Sequence, residues 1–221
     1  MGRPTRAEAA DLKELLRHTA LKMFLDHGYN GTTMEAVASA AGVSKRTLYA
    51  AYPDKRALFG SVVTWALGRH EWAEPAPETS TDDLAGELTA IARSTLARAL
   101  DPDIVRLSRM AMTEATRFPE VVGEAHSLVW SPRLRAVMDL LERHSLDGTV
   151  KVDDPELAAE QFLAMVSAIP ARLAAFGLFR PADVEARHLD HAVTLFLRGA
   201  LTRLREETGE ESGEEKPRGI R

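Results

Sequence analysis

An all-helical fold is predicted for this chain of 221 residues, and three observations carry the prediction. Apolar residues recur at spacings of three and four, the period of one face of an α-helix. Glycine, proline and small capping residues interrupt those stretches where helix ends are expected. No stretch alternates apolar and polar residues as a half-buried strand would. About nine helices are expected, in a small N-terminal group and a larger C-terminal domain.

Leu12, Leu15, Leu16, Thr19, Ala20, Met23 and Phe24 define the buried face of a first helix that Gly28 ends. After Tyr29-Asn30-Gly31, a threonine of the run Thr32-Thr33-Met34-Glu35 caps a second helix, with Glu35 returning the bond in a capping box. That helix reaches Ala41, where Gly42 breaks it by taking positive φ. Ser44 caps a short third helix to about Tyr52. Pro53-Asp54 stops it and caps a fourth, whose apolar stripe is Leu58, Val62, Trp65 and Ala66.

The run Glu74-Pro75-Ala76-Pro77-Glu78-Thr79-Ser80 has the composition of a linker. Beyond it, helices are predicted near residues 82–100, 103–117, 120–144, 154–176 and 182–205. Pro132 should kink or split the third of these, because proline removes a helical hydrogen bond and clashes with the preceding turn. Residues 206–221 are acidic and nearly without apolar side chains, so a disordered tail is expected. The expected division is therefore an N-terminal arm at 1–9, a first domain at 10–72, a linker at 73–81, a second domain at 82–205 and the tail.

The chain has no cysteine, which excludes disulfides and fits a reducing compartment. It opens without an apolar signal region and has no run of about 18 consecutive apolar residues, so a soluble cytoplasmic protein with no membrane partner is expected. The net charge of −5 hides an asymmetry: residues 1–60 carry nine Lys or Arg against six Asp or Glu. Only that segment suits phosphates. Hydrolase and transferase chemistry finds no G-x-S-x-G, no glycine-rich phosphate loop and no cysteine nucleophile, and no enzyme or cofactor is expected. His188 and His191, three apart, lack a third ligand at suitable spacing, so no metal is expected either.

Residues 32–60 have the spacing of a helix-turn-helix. Ala38 is small where two helices cross, Gly42 makes the turn, and Val43 with Leu48 anchors the second helix. The exposed side of that helix would carry Lys45, Arg46, Thr47 and Tyr49 toward DNA. Arg46 is the candidate guanine reader. Thr33, Lys45, Tyr49 and Lys55 are candidate phosphate contacts, and Ser44 and Tyr52 complete the set. Gly2-Arg3-Pro4-Thr5-Arg6 is a basic arm for backbone or minor groove, or a disordered start.

With those residues in view, Thr32-Thr33-Met34-Glu35-Ala36-Val37-Ala38, Ala41-Gly42-Val43-Ser44-Lys45, Thr47-Leu48-Tyr49 and Lys55-Arg56-Ala57-Leu58-Phe59 resemble the TetR family. The resemblance covers roughly residues 10–70. Arg117-Phe118-Pro119-Glu120 is similar to a segment of the subgroup with an AefR-like C-terminal domain. Arg46 stands where the family often has glycine, and Ala50-Ala51 where aromatic residues or histidine are frequent, so not every usual DNA contact carries over.

The resemblance implies a three-helix DNA-binding domain joined to an effector-binding and dimerisation domain. It implies a homodimer on double-stranded operator DNA, most simply a repressor of a palindromic site released by a largely apolar small molecule. Phe162, Met165, Ile169, Ala192, Leu195, Phe196, Gly199 and Ala200 would serve a dimer contact or an internal core. Met110, His126, Trp130, Met138, Phe162 and Phe176 are the candidate effector-pocket residues, with core filling as the competing role. A helical sensor or scaffold without operator binding, and a catalytic helical bundle, are the other readings of the same chain.

Overall fold

The computed structural model describes residues 5–68, 83–115, 132–146 and 148–210, with backbone alone at 67–68 and 200–210. The described residues form helices and no strand: α1 (Arg6–Gly31), α2 (Met34–Ala40), α3 (Lys45–Ala51), α4 (Lys55–Gly68), α5 (Leu84–Ala99), α6 (Pro102–Ala115), α7 (Pro132–Leu146), α8 (Pro155–Ala175) and α9 (Ala182–Glu210). The all-helical prediction holds. The chain divides into two compact units, one of residues 1–72, 98–132 and 171–178, the other of 73–97, 133–170 and 179–221.

The first unit is built on α1. Thr5 caps this helix in a full capping box with Glu8, so helical backbone starts at Arg6, inside the arm expected over 1–9. Gly28 has φ +70 and interrupts the helical geometry where the sequence placed the end. The buried face is Leu16, Ala20, Leu21 and Phe24, whereas Leu15 is 46% exposed. The predicted stripe was thus centred about one residue off. Leu16, Phe24, Val37, Leu48, Leu58, Phe59 and Val62 are fully buried in one core, at roughly 1.5–3 kcal/mol for each large side chain. Phe59 meets both Phe24 and Tyr29 edge-on at 5.0 Å.

α6 belongs to this unit and places Leu107 in the same core, with Met110 and Ala111 packed against it. Arg98 is buried and donates to the Ala66 carbonyl in the last turn of α4. Arg109 of α6 donates to the Ala174 carbonyl at 2.8 Å, in the last turn of α8.

The second unit contains α7, α9 and most of α5 and α8. Its buried side chains include Leu88, Leu134, Val137, Leu140, Leu141, Phe162, Val166 and Leu189. Arg143 of α7 reaches the Glu87 carboxylate of α5 at 3.2 Å. α7 begins at Pro132, where a proline costs no helical hydrogen bond. The first half of the helix expected at 120–144 and the expected linker lie outside the described residues, as do 211–221 of the expected tail. Helical backbone continues to Glu210, past the predicted end at 205.

α8 is long and apolar enough to cross a membrane by length and composition, with mean hydropathy 1.2, yet only 28% of that window is buried within the chain. The apolar residues expected to act together on α8 and α9 divide. Phe162 and Ala192 are buried, whereas Ile169 and Leu195 are 39% and 52% exposed, and Leu157, absent from the expected set, is 50% exposed.

Candidate nucleic-acid interface

α2 and α3 are each seven residues long, so local signals rather than helix length must define them. Thr33 is the N-cap of α2: its Oγ1 accepts from the Ala36 amide at 3.1 Å. Thr32 is instead fully buried, its hydroxyl shared between the carbonyls of Gly28 at 2.8 Å and Met23 at 3.0 Å. With the cap at Thr33, Glu35 occupies the second helical position rather than the third. The expected capping box therefore does not form here, and Glu35 turns toward α3.

The turn between the helices closes through the Val43 amide donating to the Ala38 carbonyl at 3.0 Å. Gly42 holds φ +67 there, and no heavy atom lies within 4 Å of a Cβ built on it. Its requirement is backbone conformation rather than space. Ser44 then caps α3 by accepting from the Thr47 amide at 3.1 Å, and the Ser44 and Thr47 hydroxyls lie 2.7 Å apart. Leu48 is fully buried and fixes the helix to the core.

Lys45, Arg46 and Tyr49 are exposed, as is the cap Thr33. Among the described residues Arg46 has no hydrogen-bond or ion-pair partner. The Glu35 carboxylate lies 3.7 Å from the Lys45 ammonium and accepts a long bond from the Tyr49 hydroxyl at 3.5 Å. Glu35 is a member of this face that sequence reasoning missed. Counting from the correct cap would have put it there, since the register of a two-turn helix moves with the choice of Thr32 or Thr33.

Two of the expected DNA contacts are turned toward the fold. Tyr52 is 6% exposed and its hydroxyl meets Ser61 Oγ at 3.2 Å. Lys55 donates to the carbonyls of Tyr29 and Thr32, both at 2.9 Å, with its ammonium 4.5 Å from the Tyr29 ring centroid. The half-buried ammonium, facing two carbonyls and an aromatic ring, holds the α1–α2 corner, and that engagement draws Lys55 inward. Thr47 is half-buried with its hydroxyl on Ser44, leaving Lys45, Arg46 and Tyr49 as the outward set on α3.

Of the expected effector residues that are described, Met110 and Phe176 belong to the first unit and Met138 and Phe162 to the second. Met110 packs on the core of the helix-turn-helix unit, and Phe162 is fully buried with its ring 4.9 Å from Phe196. Phe176 is 76% exposed beside the turn that follows α8. Met138 is half-buried on α7, and His126 and Trp130 lie outside the described residues. A cleft of about 280 Å³ in the second unit is lined instead by Lys151, Gln161, Met165, Leu195 and Phe196 among others. Among the described residues no three His, Asp or Glu side chains converge as a metal site.

Comparison with known proteins settles the kinship of this geometry. Residues 16–62 match the model of bacterial regulatory proteins of the tetR family, and residues 86–199 that of the AefR-like transcriptional repressor C-terminal domain. The chain belongs to the TetR family of transcriptional regulators. The tetR match spans α2, α3 and all the candidate contacts from Thr33 to Lys55, and this TetR-family protein is a DNA-binding regulator.

The TetR-family relatives agree over different lengths. YhgD of Bacillus subtilis, an uncharacterized HTH-type transcriptional regulator, is 29% identical over 163 residues, 72% of this chain and 82% of the relative. The HTH-type regulator AcrR of Shigella flexneri is 27% identical over 56% of this chain, which spans only 57% of that protein. A solved Mesorhizobium loti chain assigned to the TetR-family regulators superposes with TM-score 0.75 at 28% identity, covering 88% of this chain and 98% of that one. The flavonoid-responsive regulator FrrA superposes with TM-score 0.67 at 28% identity, covering 86% and 97%.

Proposed function

We propose that this TetR-family regulator is a homodimeric repressor that binds a palindromic operator through α3 and leaves it when an apolar small molecule occupies the C-terminal domain. The observation that carries the reading is Arg46, without a partner among the described residues, on a capped, core-anchored helix with Lys45 and Tyr49 beside it. A guanidinium in this position suits bidentate bonding to guanine O6 and N7, while Lys45 and Tyr49 suit phosphate oxygens. Thr33 and Ser44, at the two helix starts, suit phosphates as well.

The dimer reading is supported by α8 and α9, which leave Leu157, Ile169 and Leu195 outward on helices of one unit. An apolar helix largely uncovered within its own chain is stabilised by burial against a second copy. Such a dimer presents two recognition helices to successive major grooves, about 34–36 Å apart. FrrA, by its name, responds to flavonoids, and an aromatic, largely apolar effector is accordingly the class to screen here. Effector release needs a coupling of about 1–3 kcal/mol between the sites.

Selection of bound sequences from random duplex DNA tests the reading. A palindrome should emerge, and Arg46→Ala should lose discrimination at one position per half-site. Failure to enrich any sequence would favour the sensor or scaffold reading instead.

A further inference from the structure

α8 contributes to both units, residues 155–170 to one and 171–175 to the other, and the division falls at Pro170. Proline has no amide hydrogen, so within a helix it strands the carbonyl four residues earlier. That carbonyl belongs to Val166, a fully buried residue. Left bare, a buried carbonyl forfeits a hydrogen bond that water cannot replace. His188 of α9 stands at this point, its Nε2 3.1 Å from the Val166 oxygen. A carbonyl oxygen only accepts, so Nε2 carries the hydrogen and donates it.

Each side of the proline is held separately. Before it, Val166 is tied to α9 by His188, and Ser167 Oγ donates to the Leu163 carbonyl at 2.8 Å, a bond that loosens helical geometry. After it, the short segment ends in a glycine turn, with Gly177 at φ +79 and the Leu178 amide donating to the Leu173 carbonyl at 2.9 Å. Arg109 of α6 holds that segment through the Ala174 carbonyl.

We propose that α8 is jointed at Pro170 and that His188 latches the joint by supplying the donor the proline removed. A helix without one rung bends there more readily than elsewhere, and the side-chain bond can open and reclose where a backbone rung would break the helix.

Full-length wild type, His188→Ala, Pro170→Ala and the double variant decide the matter by hydrogen exchange. His188→Ala should speed exchange of the α8 amides after residue 170 about 10-fold, with the first three turns of α8 unchanged. In the Pro170→Ala background the same change should have less than about a 2-fold effect, because the amide restored at position 170 reaches the Val166 carbonyl directly. Equal acceleration in both backgrounds would overturn the latch and leave His188 a packing residue.

Discussion

Arg46 and Lys55 are both basic, both in the helix-turn-helix segment, and do different work because of what surrounds them. Arg46→Ala removes a side chain with no partner among the described residues, so thermal stability should stay unchanged. Its affinity for the selected duplex should fall by roughly 1–3 kcal/mol, with relaxed discrimination at one base pair. Lys55→Met takes away two hydrogen bonds to buried-corner carbonyls and a contact with the Tyr29 ring. It should lower stability by about 1–3 kcal/mol in a denaturant titration, while the preference for the right base over a wrong one survives. A mutant protein that folded normally but lost affinity uniformly would instead make Lys55 a phosphate contact. Glu35 adds a third case. Its carboxylate neutralises Lys45 on the face that meets phosphates, so Glu35→Gln should raise affinity for non-specific duplex at low salt.

At the scale of the element, short helices depend on their ends. Gly42→Ala meets no steric obstacle, so its cost is that of a left-handed backbone, roughly 1–2 kcal/mol, measurable by thermal unfolding. The start of α1 makes a pH prediction. Glu8 accepts from the Thr5 amide at 2.7 Å and from its hydroxyl, and these bonds hold its carboxyl below the ordinary value of 4.5. A depressed folded pKa contributes stability that is complete above the ordinary carboxylate range and lost as pH falls through the depressed value. The first turn of α1 should therefore fray in acid, seen as faster amide exchange, and Glu8→Gln should remove that pH dependence. α8 shows the opposite arrangement, a helix interrupted internally by Pro170 and repaired by a side chain from the next helix.

For the whole molecule, the proposed dimer makes a prediction about the outward apolar residues of α8 and α9. Leu195→Glu places a charge on the uncovered apolar face of α9 without touching the buried Phe162 or Ala192. Sedimentation should show a monomer, and operator affinity should collapse while α3 remains intact. A dimer persisting in this variant and in Ile169→Glu would place the interface elsewhere. Because α6 shares the core of the helix-turn-helix unit through Leu107, that unit is larger than the first 72 residues. Its stability should respond to Leu107→Ala, by about 2–5 kcal/mol.

Helix type, the turn at Gly42, the caps at Ser44 and Asp54 and the motif itself were legible in the sequence, because each depends on residues within about one turn of one another. The Thr5–Glu8 box was equally local and was overlooked in favour of a basic arm. The fates of Tyr52, Lys55, Phe162 and Phe176 were not legible. Whether a lysine faces phosphate or carbonyl, or a phenylalanine fills a core or stands in solvent, depends on partners far along the chain, and Lys55 meets Tyr29 and Thr32 across 26 and 23 residues. The sequence by itself determined an all-helical DNA-binding regulator with a helix-turn-helix near its start. Only the tertiary structure decided which side chains that motif turns outward, and that His188 answers Pro170 across 22 residues from Val166, since burial and hydrogen-bond satisfaction are set by packing between helices.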